Sequence, residues 1–140
     1  MASGDRFAAA GNDNAAILEY RSAIQLDPRY APASLKLAEV YEKTNQIARA
    51  VAEYERAADL MPGETEVQIK TGRYLMLASR YDDARARADV VLARNPAHVE
   101  ARLMRALAQA HLGRTDAARE EIAEASRLEP GNARPYIVLL

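Results

Sequence analysis

The sequence predicts an all-α fold, a solenoid of stacked antiparallel helix pairs, on three observations. A proline returns every 34 residues, at Pro28, Pro62, Pro96 and Pro130. Columns of residues at fixed distances before these prolines agree in size and polarity. Within each copy the apolar residues follow the spacing of a 3.6-residue helical turn twice over, with a turn-forming residue between the two runs. A fixed period of this length marks a repeat architecture, in which each unit buries its apolar face only by stacking on its neighbours.

The chain reads as a single array over 1–140: a partial repeat over 1–30, full repeats over 31–64, 65–98 and 99–132, and the start of a further helix over 133–140. The first copy has Gly4 and Phe7 ahead of Gly11, then Ala16, Tyr20 and Ala23 before Pro28; its first helix is expected to lack the opening turn. In the second copy Leu37, Ala38 and Tyr41 share one helical face, Asn45 tolerates the left-handed geometry that ends helices, and Ile47, Ala50, Val51, Tyr54, Ala57 and Ala58 form the second face. Pro62 stops that helix, because proline disfavours a helical predecessor and lacks the N–H to continue the ladder. The third copy repeats the pattern with Gly72, Leu75, Ser79, Ala84, Ala88 and Val91, and the fourth with Ala106, Gln109, Gly113, Ala118, Ile122 and Ala125. Small residues at Ala38 and Ala50 let two backbones approach, so a bulky residue at Ala50 or Ala84 is expected to overpack the crossing by about 1–3 kcal/mol. The chain finishes on the apolar residues Tyr136, Ile137, Val138, Leu139 and Leu140. Repeat arrays need polar ends, so the chain is expected to be a piece of a longer protein or to have this end covered.

Composition narrows the function. Hydrophobic residues are 49% and the formal net charge is −1, a globular balance with no basic excess to draw a nucleic acid. No apolar run approaches the roughly 18 residues of a membrane helix, so no direct membrane insertion is expected. The absence of cysteine excludes thiol chemistry and disulfides. His98 and His111 are the only histidines and are expected at the surface or an interface rather than on a metal. Metal, phosphate-loop and nucleophile-elbow motifs are lacking. Asp82 and Asp83 open a helix, where acidic residues favour the dipole. Arg80, Arg85 and Arg87 alternate with acids and should form local ion pairs. The reading has no catalytic residue, no metal site and no cofactor, and the protein is expected not to be an enzyme.

The period, the Leu37-Ala38-Tyr41 cluster, the Ala50-Tyr54-Ala57 series and Pro62 together resemble the tetratricopeptide repeat (TPR) family, over essentially the whole chain. The alanine- and arginine-rich composition is similar to bacterial members. The resemblance implies a right-handed superhelix whose first helices line a concave face that grips peptides or partner helices. Ser34, Gln68 and Arg102 depart from the family's aromatic near the start of the first helix, and Thr71, Arg105 and Gln109 stand at usually apolar places. With the packing positions subtracted, the expected partner-binding row is Leu35, Glu39 and Glu42, then Ile69, Arg73 and Met76, then Leu103, Leu107 and Ala110. Lys36 and Lys70 sit at its edge. Arg73 alone makes a poor carboxylate clamp, so the row with Leu77 and Met104 suits an amphipathic or apolar segment. The expected function is a protein-interaction scaffold holding a peptide or helical segment of a protein partner. The alternatives are a structural module that self-assembles end to end, a homo-oligomer through the apolar C-terminal end, and a targeting module of a larger protein. Composition leaves the compartment open between cytoplasm and periplasm or cell envelope.

Overall fold

A computed structural model describes residues 1–133, all of whose regular structure is helical. The helices are α1 (Ala2–Ala9), α2 (Asp13–Leu26), α3 (Ala31–Lys43), α4 (Ile47–Leu60), α5 (Thr65–Leu77), α6 (Tyr81–Arg94), α7 (Val99–His111), α8 (Thr115–Leu128) and the short α9 (Pro130–Ala133). The starts of α3, α5 and α7 differ by one period each, as do those of α2, α4, α6 and α8, so the sequence period is the structural period. The described residues form two compact units, one from Met1 to Pro62 and one beginning at Gly63. In the first, α1 pairs with α2, α3 pairs with α4, and α2 packs on α3; in the second, α5 pairs with α6, α7 pairs with α8, and α6 packs on α7.

The turn inside each pair has one physical origin. Gly11, Asn45, Ser79 and Gly113, one per repeat, all have φ between 59° and 78°. The residue after each donates its backbone N–H to a carbonyl five residues earlier: Asn12 to Phe7, Gln46 to Tyr41, Arg80 to Leu75 and Arg114 to Gln109, at 2.7–2.9 Å. This left-handed cap satisfies carbonyls that the helix end would otherwise orphan. Between pairs, the second helices end at Leu26, Leu60, Arg94 and Leu128, two residues before each proline. The residues just before the prolines are non-helical, with φ from −125° to −144°, as the proline ring requires. Asp27 and Asn95 fold the chain over with side-chain oxygens that accept from the N–H two residues on. Pro130 does more than stop a helix: it is also the first residue of α9, a place where its missing N–H and fixed φ cost nothing.

The core is built largely from alanine. Ala16, Ala38, Ala50, Ala84 and Ala118, the small residues of the helix crossings, are all at or below 1% exposure, and Tyr20, Tyr54 and Ile122 fill the volume beside them. At the departures from the apolar pattern, Ser34, Gln68 and Thr71 are fully buried polar residues. The Gln68 carbonyl accepts from Arg87 at 3.4 Å. Arg105, at a usually apolar place on α7, bonds Asp89 of α6 at 2.9 Å and Glu121 of α8, while Arg102 bonds Glu121 at 2.9 Å. Burial works against the Arg105 charge, but these two carboxylates hold its pKa above the ordinary arginine value. The expected local ion pairs are present, with Arg80 to Asp83 at 2.7 Å and Arg85 to Asp82 at 3.4 Å. Residues 134–140, which carry the apolar finish and most of the expected further helix, lie outside the described residues.

A candidate partner-binding groove

In the second unit α5 and α7 lie side by side on α6 and α8, and leave a groove of about 770 Å³ between them. Their sequences explain it. On α5, Val67, Gln68, Thr71, Gly72 and Leu75 turn inward and are buried. On α7, Ala101, Met104, Ala106 and Ala108 do the same. The helical period then leaves Arg73, Met76 and Leu77 on one wall, and Glu100, Leu107 and His111 on the other.

The expected row divides. Arg73 is exposed, Met76 and Leu107 are half-buried, and all three line the groove. Ile69 and Leu103, expected to be free of packing, are only 4% and 6% exposed. Ile69 packs with Ala88, Val91, Leu92, Ala101 and Met104, and Leu103 with Val99 and Ala125. They are core residues that form the groove floor: they share a helical stripe with Arg73 and Leu107, but residues of α6 and α8 pack against their end of it. Ala110 is half-buried on α7 and falls outside the groove lining. In the first unit Leu35 is half-buried, and Glu39 is exposed and pairs with Lys36 at 3.7 Å. Glu42 is not free as expected: its carboxylate accepts from the buried Tyr54 hydroxyl at 2.5 Å.

Of the two residues set beside the row, the structure buries Met104 and exposes Leu77, and it adds Glu100 and His111 to the lining. Leu77 is 79% exposed. Its register place is held by Ala9, Lys43 and His111 in the other copies, two of them polar, which is the sequence signal for an outward position. Glu100 pairs with Arg73 across the groove. The cation is thereby neutralised, so no cationic clamp remains at this end. The Tyr81 and His111 rings stack with centroids 4.4 Å apart and planes 2° from parallel. His98 accepts the Ala101 N–H through Nδ1 at 3.2 Å and so caps α7.

A smaller hollow of about 340 Å³ in the first unit carries the charged residues Asp5, Asp13, Lys36, Glu39 and Lys43 around Ala8, Ala9, Val40 and Tyr20. Its polar groups are already engaged, with Lys43 on Asp13 at 3.1 Å and the Tyr20 hydroxyl donating to Asp5 at 2.6 Å. Burial first, and then the Asp5 carboxylate, push the Tyr20 pKa well above the usual phenol range. Among the described residues no helix is long and apolar enough to cross a membrane.

Family models described as tetratricopeptide repeat match residues 69–133 and 31–63, and one described as TPR repeat matches 4–45. The chain is similar to the crystal structure of MamA, at 21% identity over 91% of this chain and 75% of that one, with a TM-score of 0.70. It is also similar to MamA from Desulfovibrio magneticus RS-1, at 18% identity, 91% and 72% coverage and a TM-score of 0.68. A tetratricopeptide repeat protein from Parabacteroides merdae matches at 15% identity, 91% and 51% coverage and a TM-score of 0.71. At such identities these likenesses speak for the fold. No curated protein sequence matches the chain. Repeats of this kind serve protein–protein interaction, and the chain is in general terms a protein-interaction scaffold. With its period carried through every helix pair and family models matching both units, the chain belongs to the tetratricopeptide repeat family.

Proposed function

We propose that the chain holds a peptide or helical segment of a protein partner in the groove between α5 and α7. The observation that carries this reading is the exposure of apolar side chains in a concave place: Leu77 is 79% exposed, beside half-buried Met76 and Leu107, over a floor of Ile69, Leu103 and Met104. Burying an exposed leucine contributes about 1.5–3 kcal/mol, and an apolar groove between two helices is the kind of site that takes the apolar face of an amphipathic helix. Methionine at 76 and 104 adapts its three torsions to the shape offered.

The test compares the chain with Leu77→Glu and with Met76→Glu plus Leu107→Glu, using protein captured from the source organism's lysate. Helicity by circular dichroism confirms that each variant is folded. Leu77→Glu keeps the fold, since its side chain is outside the core, and lowers affinity for the captured partner about tenfold or more. Undiminished capture by folded Leu77→Glu and by the folded double variant would place the binding face elsewhere.

A further inference from the structure

One end of the groove carries an aromatic stack whose register place is informative. In the first unit Lys43, the last residue of α3, pairs with Asp13, the first residue of α2, at 3.1 Å. Two periods of 34 residues later the same two places hold His111, the last residue of α7, and Tyr81, the first residue of α6. The geometry that carries an ion pair in one unit carries a parallel ring stack in the other, with centroids 4.4 Å apart. The Tyr81 hydroxyl donates to Ser79 Oγ at 3.3 Å and helps to hold the lower ring. His111 is exposed and lines the groove, whereas Tyr81 does not. Tyr81 covers one face of the imidazole, so the rest of the ring is what a ligand meets.

The other end of the groove is closed by the Arg73–Glu100 pair, whose charges satisfy each other. Between the two ends the lining that α5 and α7 supply is apolar, and Asn132 of α9 also borders the groove. A segment laid in this groove therefore meets a self-neutralised pair, then Met76 and Leu107, then a flat ring. Because Tyr81 already fixes that ring, little rotamer freedom is left to lose when something stacks on it. Aromatic side chains gain from such a surface beyond their buried area.

We propose, resting on the groove reading above, that the bound segment carries an aromatic side chain which stacks on His111, with apolar side chains following over Leu107 and Met76. His111 then acts as a specificity residue and Tyr81 as the positioning residue that holds its ring.

The experiment selects random peptides displayed on phage against the intact chain, then measures the best peptide by fluorescence anisotropy. The wild type, Leu77→Glu, His111→Ala and His111→Phe are compared. The selected peptides are expected to share an aromatic residue. Its replacement by leucine weakens binding to the wild type about three- to tenfold. That replacement has no effect on His111→Ala, and its effect is kept in His111→Phe. If binding is lost in Leu77→Glu but the aromatic is absent, or its replacement costs the same in His111→Ala, the stacking proposal falls and the groove reading stands. If no peptide is selected, or the selected peptides bind Leu77→Glu undiminished, both fall.

Discussion

Gly72 stands on α5 where Gly4, Ala38 and Ala106 stand in the other repeats, so alanine is compatible with the register place. What is particular to Gly72 is its neighbour. A Cβ added there would lie 2.5 Å from both Cε and Sδ of Met104, and 3.6 Å from the Arg87 Cβ. Two effects of opposite sign compete. Alanine in place of glycine within a helix gains about 0.8–1.0 kcal/mol. Displacing Met104 from its contacts with Ile69, Ala88, Val91, Leu92 and Ala101 costs about 1–3 kcal/mol by overpacking. The obstructing atoms are the tip of a flexible side chain, so the cost stays in that range, and Gly72→Ala is expected to destabilise by about 0–2 kcal/mol. In a Met104→Ala background the obstruction is gone and only the helix gain remains. There Gly72→Ala should stabilise by about 1 kcal/mol, which reverses the sign. Met104 borders the open groove, so Met104→Ala itself should fall near the low end of the usual range, about 2 kcal/mol. Urea unfolding of the four proteins of this cycle, followed by circular dichroism, measures the coupling directly. Equal effects of Gly72→Ala in both backgrounds would refute the close approach of α5 to Met104.

Ser79 holds a left-handed backbone, φ 59°, at the place where Gly11 and Gly113 stand in other repeats, so Ser79→Gly should stabilise by about 0.5–1 kcal/mol in the same urea assay. A loss of stability there would mean that the hydrogen bond from Tyr81 to Ser79 Oγ outweighs the relief of the backbone. Burial raises the Glu53 pKa above 4.5, against the opposing pull of Arg56, Ser34 and Arg21. The native state therefore binds a proton more readily than the unfolded chain, so this carboxylate weakens the fold at neutral pH and the deficit is relieved as pH falls through its raised pKa. Glu53→Gln should accordingly melt higher than the wild type at pH 7, with the difference shrinking on acidification toward the ordinary glutamate value; a variant that melts lower at pH 7 would mean that the ion pair with Arg56 outweighs the burial cost, and a difference independent of pH would assign the effect to packing rather than to charge.

The helix pairs were legible because each rests on local chemistry that the period exposes. The left-handed residue, the proline and the small residue at the crossing each act within a few positions of themselves. The column of Gly11, Asn45, Ser79 and Gly113 carried enough to place every intra-pair turn. The groove was only half legible. Helical periodicity tells which side chains share a face, but not how deep that face sits once a second helix pair is stacked on it. Ile69 and Leu103 share a stripe with Arg73 and Leu107, yet lie at 4% and 6% exposure because the neighbouring second helices close over their end of it. Glu42 looked available because its partner, Tyr54, reaches it from the other helix of the pair. The Arg73–Glu100 pair and the Tyr81–His111 stack join separate helices and are outside what single-helix periodicity can give.

Comparison of the copies with one another sorts their residues by what constrains them. Where all four copies hold small or turn-tolerant residues, the reason is internal: Ala16, Ala50, Ala84 and Ala118 have no room to be anything larger at 0–1% exposure. Where the copies differ in charge and size, the fold permits several answers. The place at the end of the first helix holds Ala9, Lys43, Leu77 and His111, and the structure accepts an ion pair at one copy and a ring stack at another. Packing therefore leaves the chemistry of this place undetermined, and it falls on the groove wall in the second unit. A leucine 79% exposed on that wall gains nothing for the isolated fold. Its free energy is recovered only when something covers it, which is why the binding reading rests on Leu77 and not on the buried leucine and isoleucine of the same row.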